Sequence, residues 1–137
     1  MSYVKLIQAE HIPNYWPNIE SRVVAACLYN GGRYSSEDCL QELLSKQKQL
    51  WLANDSEGVI ITQIIDFPQM RCCSIDICTG ENLAEWGDLV SVIECWARNQ
   101  ECSQMFLIAR PGMEKLLKQH GYLKTHSVFE KELRELH

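Results

Sequence analysis

Between residues 50 and 78 the chain carries three apolar runs, separated by interruptions too short to hold a helix. Residues 50–54 lead straight into Asp55-Ser56-Glu57-Gly58, a cluster of turn formers. Residues 59–66 are rich in β-branched side chains, and Pro68-Gln69 breaks that run before residues 71–78 resume it. β-Branched residues suit an extended backbone, and turn residues of this kind reverse it within a few positions. The centre of the sequence therefore predicts a three-stranded antiparallel meander. A sheet has two faces to bury, and in 137 residues the flanking segments must supply the cover.

The flanks are patterned for that task. Residues 3–8 alternate apolar and polar, as a short first strand does. From residue 12 to 29, Trp16, Ile19, Val23, Ala26 and Cys27 recur at helical spacing, and Asn30-Gly31-Gly32 ends the helix. Ser35 with Asp38 three positions on is a capping-box start, and Leu40, Leu43 and Leu44 give the second helix its apolar side. Beyond the meander, Asn82 with Glu85 begins a long helix with Leu83, Trp86, Val90, Ile93 and Ala97 as its stripe. Residues 105–109 read as a buried strand. Pro111 opens a short helix with Met113, Leu116, Leu117 and His120 on its core side, and Gly121 ends it. Residues 122–133 read as a last strand or two. The order β-α-α-β-β-β-α-β-α-β makes a single α/β domain over residues 1–137. Its central sheet is mixed, mostly antiparallel, with helices on both faces.

Composition excludes several functions. The formal charge is −5, and the longest basic stretch, Lys46-Gln47-Lys48, is too thin to attract nucleic acid or an anionic membrane. No apolar run approaches the roughly 18 residues a membrane span needs, and the first ten residues have no secretory pattern. Seven cysteines are many, but two are adjacent (Cys72 and Cys73) and no C-x-x-C pair occurs. Free core thiols in a reducing cytoplasm are expected, with neither a disulfide framework nor a metal site.

The element order resembles the GNAT acyltransferase superfamily along nearly the whole chain. Strand Met105-Phe106-Leu107-Ile108-Ala109, the helix that follows and Gly121-Tyr122 are similar to that family's strand, helix and terminal Gly-Phe. Closest in pattern are the GNAT-like proteins encoded by tailed bacteriophages. These share runs like Gln49-Leu50-Trp51-Leu52, Thr62-Gln63 through Phe67-Pro68, Glu94-Cys95-Trp96-Ala97-Arg98 and Arg110-Pro111-Gly112, along with Gly80, Trp86 and Cys102. That resemblance implies a place in the host cytoplasm or the virion. It also implies protein partners, either other virion components or copies of itself; from the aromatic content, Trp16, Trp51 and Trp96 are candidate anchors, with at least two of them expected in the core.

The same resemblance frames the catalytic question. GNAT enzymes hold the acyl-CoA pyrophosphate on backbone N–H groups where the central helix begins, in a Gln/Arg-x-x-Gly-x-Gly/Ala loop. The matching stretch is Ile77-Cys78-Thr79-Gly80-Glu81-Asn82, in which Gly80 agrees and Glu81 puts a negative charge at the docking point. From Arg71 to Arg98 there is no other Lys or Arg, while Asp76, Glu81, Glu85, Asp88 and Glu94 are acidic. On the fourth helix the family's cofactor-contacting Asn falls on Arg110, and its proton-donating Tyr falls on Leu117. Leucine carries no proton to give.

Two expectations follow. The first is a phage-type GNAT-like protein with a degenerate acyl-CoA site and no cofactor, acting as a protein-binding or virion component. The second is an N-acetyltransferase with a non-standard cofactor loop, using acetyl-CoA. In the second, Gly80, Glu81 and Arg110 would bind the cofactor, and Asp76 or Asp66 would be the general base. Arg110 has a structural reading too, as a clamp onto the acidic start of the central helix. Cys78, His120, Tyr122 and His126 are weaker candidates, each also explained by packing or capping. A gap between the fourth and fifth strands, where such enzymes seat the pantetheine arm, discriminates the two: if side chains such as Met113 or Met105 fill it, the enzyme reading fails.

Overall fold

A computed structural model describes residues 3–80, 86–109 and 111–134. Strand β1 (Val4–Ile7) leads through a 3-10 turn (Ala9–His11) into helix α1 (Ile12–Cys27), and α2 (Ser36–Leu44) follows. The meander is β2 (Gln49–Ala53), β3 (Gly58–Asp66) and β4 (Arg71–Gly80). After it come α3 (Trp86–Asn99), β5 (Gln104–Leu107), a 3-10 turn (Pro111–Met113) and α4 (Glu114–Gln119). The sheet order is β1-β2-β3-β4-β5. The first four strands are mutually antiparallel, and β5 lies parallel to β4. The mixed, mostly antiparallel sheet is as the sequence predicts.

Local chemistry accounts for the elements. In α1, Ile12, Trp16, Ile19 and Val23 fall on one side and are buried. Gly31 and Gly32 have positive φ just past its end, a conformation glycine adopts without steric cost. At the start of α2, the Asp38 backbone N–H donates to the Ser35 hydroxyl, and the Ser35 backbone N–H donates to the Asp38 carboxylate. This reciprocal pair is the predicted capping box. The β2–β3 reversal puts Asn54, Asp55 and Ser56 at positive φ, where short polar side chains are best tolerated.

The alternation of the strands divides the core in two. On one face Leu50, Leu52, Val59, Ile61 and Ile77 pack beneath α1 and α2. On the other, Trp51, Ile60, Cys73 and Ile75 meet Val90, Ile93 and Ala97 of α3 and Leu117 of α4. Trp51 and Trp96 are in edge-to-face contact, with ring centroids 5.3 Å apart. The Trp51 indole N–H donates to the Thr62 hydroxyl, which in turn donates to the Gln49 side chain. Trp16 and Trp51 are buried and Trp96 packs against the second cluster. The tryptophans read as candidate anchors are core residues.

Three other local expectations differ from the fold. β5 is an edge strand, so only Met105 and Leu107 turn inward, while Phe106 is exposed. His120 is exposed past the end of α4 and is no part of the core. Residues 121–134 form no strand. Tyr122 is half-buried, but residues 123–134 are all exposed and hold Lys124, Glu130, Lys131, Glu132 and Arg134, with no apolar face given to the sheet. The expected cap of α3, Asn82 with Glu85, lies outside the described residues, as does Leu83.

Candidate functional site

The parallel pairing of β4 with β5 is short. It runs from Cys72–Gln104 to Ile75–Leu107 and stops, although β4 continues five residues further, to Gly80. Over Asp76–Gly80 the edge of β4 that would face β5 has no strand partner among the described residues. β5 is paired over its whole length and ends at Leu107, so β4 runs on past it towards the connection into α3. Met105 pairs with Cys73, before that unpaired stretch of β4 begins. Met113 packs against the α3-side cluster.

Asp76 is the first residue of β4 past the paired stretch, and it lies in a bulge. Ile61 pairs with Ile77 and Thr62 with Ile75, which leaves Asp76 as an extra residue on β4. The bulge resets the alternation: Ile75 belongs to the α3-side cluster, and Ile77, two positions on, belongs to the α1-side cluster. Ser74 donates a 2.7 Å hydrogen bond to one Asp76 carboxylate oxygen, Oδ1. The other, Oδ2, is buried with no hydrogen-bond donor directed at it, and the Lys48 ammonium lies 3.1 Å away as an ionic contact.

Lys48 ties this carboxylate to the α1–α2 layer. Its side chain is 5% exposed, with Nζ 3.6 Å from Glu42 and 4.6 Å from the centre of the Tyr34 ring. The Tyr34 hydroxyl reaches the Asp76 carbonyl at 3.4 Å. Burial pulls the Lys48 pKa down, but the Asp76 and Glu42 carboxylates outweigh it and leave it above its ordinary value. Burial and the Asp76 charge push the Tyr34 hydroxyl up. Lys48, Tyr34 and Ser74 were not singled out from sequence. The only signal was a lysine set directly before the apolar run of β2. In the acidic stretch from Arg71 to Arg98, Asp76 is thus not a bare charge, because the fold brings Lys48 to it.

The other sequence candidates do not gather here. Asp66 ends β3 and forms a 2.6 Å ion pair with Arg71, exposed at the far end of β4. Five residues of strand, about 17 Å, separate that pair from Asp76. Gly80 closes β4 opposite Gly58. Glu81 and Arg110 lie outside the described residues, so neither the cofactor loop nor the Arg110 clamp is placed. Cys78 is half-buried beside the α3-side cluster. All seven cysteines are thiols, and burial pushes Cys39 and Cys73 up to about 12, far from a nucleophile's range. Among the described residues no group of three or more His, Cys, Asp or Glu is arranged to hold a metal ion.

Towards the N-terminal end of β5 there is a separate cleft of about 280 Å³ between α3 and α4, lined by Glu94, Arg98, Cys102, Met105 and His120 among others. The His120 ring lies over Gly87, where a β-carbon would overlap it. Tyr122 donates a 2.6 Å hydrogen bond to Glu94, and burial with that acidic partner raises the phenol above its usual range. Leu117, at the position where the family carries a tyrosine, is buried among Val90, Ile93 and Ala97. His126 is exposed beside Thr125.

No protein-family model and no curated protein sequence matches the chain. Solved structures do match, across nearly full length. A ribosomal-protein-alanine N-acetyltransferase from Brucella melitensis biovar Abortus 2308 aligns with a TM-score of 0.71 at 16% identity, covering 98% of this chain and 100% of that one. A predicted acetyltransferase from Clostridium acetobutylicum, with acetyl-CoA, aligns at 0.66 and 17% identity, covering 97% of each chain. Glucosamine-6-phosphate N-acetyltransferase from Arabidopsis thaliana aligns at 0.66 and 9% identity, covering 98% of this chain and 99% of that one. The chain has the fold of the GNAT acetyltransferases. None of these neighbours ties it to a bacteriophage.

Proposed function

We propose that the chain is an acyl-CoA-dependent N-acyltransferase whose cofactor loop departs from the usual glycine-rich pattern. The observation that carries this reading is the stretch of β4 from Asp76 to Gly80, which extends past the end of β5 unpaired on that side among the described residues. Its backbone has hydrogen-bonding groups to offer an extended, amide-bearing chain, as an added strand would use them. The pantetheine arm of acyl-CoA is such a chain, and Gly80 adds no side chain to obstruct its approach. When bound, acyl-CoA supplies an activated thioester carbonyl. The likeness to acetyltransferase structures, one of them with acetyl-CoA, supports the same reading.

Asp76 is the residue placed to take a proton from an incoming amine. Ser74 holds Oδ1 in position, and Oδ2, buried beside the Lys48 ammonium at 3.1 Å, meets an amine N–H only when that contact opens. Lys48 positions the carboxylate and balances its charge. Glu81 and Arg110 keep their sequence-based roles in this proposal, Arg110 as the phosphate contact and Glu81 through its backbone. Asp66, paired with Arg71 at the far end of β4, is set aside as a base.

A second reading has one observation in its favour. With Leu117 buried and the Tyr122 hydroxyl committed to Glu94, no free phenol on or just after α4 stands ready as a proton donor. On that reading the chain is a non-catalytic, protein-binding or virion-associated relative. Calorimetric titration with acetyl-CoA at low salt, alongside a Gly80→Trp variant checked for folding by circular dichroism, separates the two. Micromolar binding lost in the variant supports the acyltransferase, and Asp76→Asn should then abolish acyl transfer to an amine while leaving cofactor affinity unchanged. No heat at millimolar acetyl-CoA would overturn the acyltransferase reading.

A further inference from the structure

Two thiols meet where α1 packs beside α2. Cys27 is the last residue of α1 and is half-buried, while Cys39, in the first turn of α2, is fully buried. Both belong to the cluster beneath α1 and α2, and the Cys39 S–H donates to the Cys27 sulfur. Thiols that share a hydrogen bond are already neighbours, and a disulfide forms only between side chains that the backbone has brought this near.

Their surroundings differ in the way that thiol–disulfide exchange requires. Cys27 reaches solvent, so a small disulfide can meet it, whereas Cys39 is closed off from outside. Burial pushes the Cys27 thiol up, and the Cys39 proton and the Lys48 ammonium pull the other way. Burial takes Cys39 up to about 12. Cys27 is therefore the thiol that reacts first, and Cys39 the one that follows from inside the fold. A disulfide made from such thiols is slow to reduce, because a thiolate of high pKa leaves poorly.

We propose that Cys27 and Cys39 form a reversible disulfide by exchange with low-molecular-weight disulfides. The Cys27 thiolate, its proton lost to water, attacks one sulfur of the small disulfide and expels the other as a thiolate. That leaves a mixed disulfide on Cys27. Cys39 then attacks the Cys27 sulfur, and its proton passes to the second small thiolate as it departs. One small disulfide is reduced to two thiols, and the two cysteines are oxidised to one cystine. The bond joins the two ends of the 28–38 connection. That connection carries Tyr34, whose ring centre is 4.6 Å from the Lys48 ammonium and whose hydroxyl is 3.4 Å from the Asp76 carbonyl. Oxidation thus ties down the segment that covers the bulged carboxylate. The assignment does not depend on the acyltransferase reading.

Peptide mapping without reductant tests it, after the folded full chain has been held in glutathione and glutathione disulfide at about pH 8. A peptide joining Cys27 to Cys39 should be the main disulfide product, with two of the seven thiols lost to alkylation. The same treatment in urea, where no fold selects a pair, should give a mixture of pairings. Cys39→Ala cannot complete the second step and should stop at a glutathione adduct on Cys27, while Cys27→Ser should leave Cys39 reduced. The oxidised wild type should unfold at a higher urea concentration than the reduced one, because the bond restricts the unfolded chain. A folded wild type that keeps Cys27 and Cys39 reduced, or that gives the same mixture as in urea, overturns the proposal. So does a Cys39→Ala chain, folded by circular dichroism, with no adduct on Cys27; if that variant does not fold, the wild-type map decides by itself.

Discussion

Replacing Lys48 with methionine tests whether the bulged carboxylate and the α1–α2 layer are one unit. The side chains are of similar length, so packing changes little, but Asp76 Oδ2 loses the Lys48 ammonium 3.1 Å away. Breaking a fully buried ion pair costs about 3–5 kcal/mol. The Asp76 side chain is 16% exposed and keeps the Ser74 hydrogen bond, so the expected loss is smaller, about 2–3 kcal/mol. Asp76→Asn should cost a similar amount, because it takes the nearer carboxylate from a buried ammonium and leaves Glu42 at 3.6 Å and the Tyr34 ring at 4.6 Å. The double variant removes both charges together and should lose only about 1–2 kcal/mol, giving a coupling of about 3 kcal/mol. Urea denaturation at neutral pH measures all three, and the coupling should persist in molar salt because the pair is shielded from solvent. Losses that add to within about 0.5 kcal/mol would refute the reasoning and reduce the contact to an incidental proximity.

Other consequences are open to simpler measurements. The Cys39 and Cys73 thiols ordinarily titrate at 9.0 and are raised to about 12 in the fold, so their stabilisation is complete below pH 9 and is lost as pH rises from 9 towards 12. Urea midpoints should fall steeply across that window, and Cys39→Ala with Cys73→Ala should flatten the slope even though it lowers the starting stability; parallel profiles would contradict it. Trp51→Phe removes the indole donor to Thr62 and should cost about 1–2 kcal/mol in the same urea assay. Ser35→Ala removes half of the α2 capping box and should cost about 1 kcal/mol.

The parts of the fold visible in the sequence are those that local chemistry decides. Residues 59–66 could hardly be anything but a strand, and Ser35 with Asp38 marks a helix start without help from the rest of the chain. The parts that stayed hidden depend on contacts between distant residues. Lys48 reads as a surface lysine because its partner, Asp76, lies 28 positions away. The bulge at Asp76 leaves no trace in the alternation of Arg71–Gly80 that could be told from ordinary variation. Residues 105–109 looked like a buried strand because their apolar content does not reveal that the strand sits at the edge of the sheet. The tail after Tyr122 looked like another strand from its apolar residues, yet among the described residues no strand pairs with it.

The division of the core between the two faces of the sheet has a consequence for biosynthesis. Every residue of the cluster under α1 and α2 comes from the stretch between Ile7 and Ile77, so the material for that half is complete once Gly80 has left the ribosome. The other face has to wait. Trp51, Ile60, Cys73 and Ile75 remain uncovered until α3, β5 and α4 have been made, and β4 keeps an open edge for the same interval. A nascent chain that has emerged only as far as residue 80 therefore presents a bare apolar sheet face and an unpaired strand together, the combination that chaperones recognise and aggregates recruit.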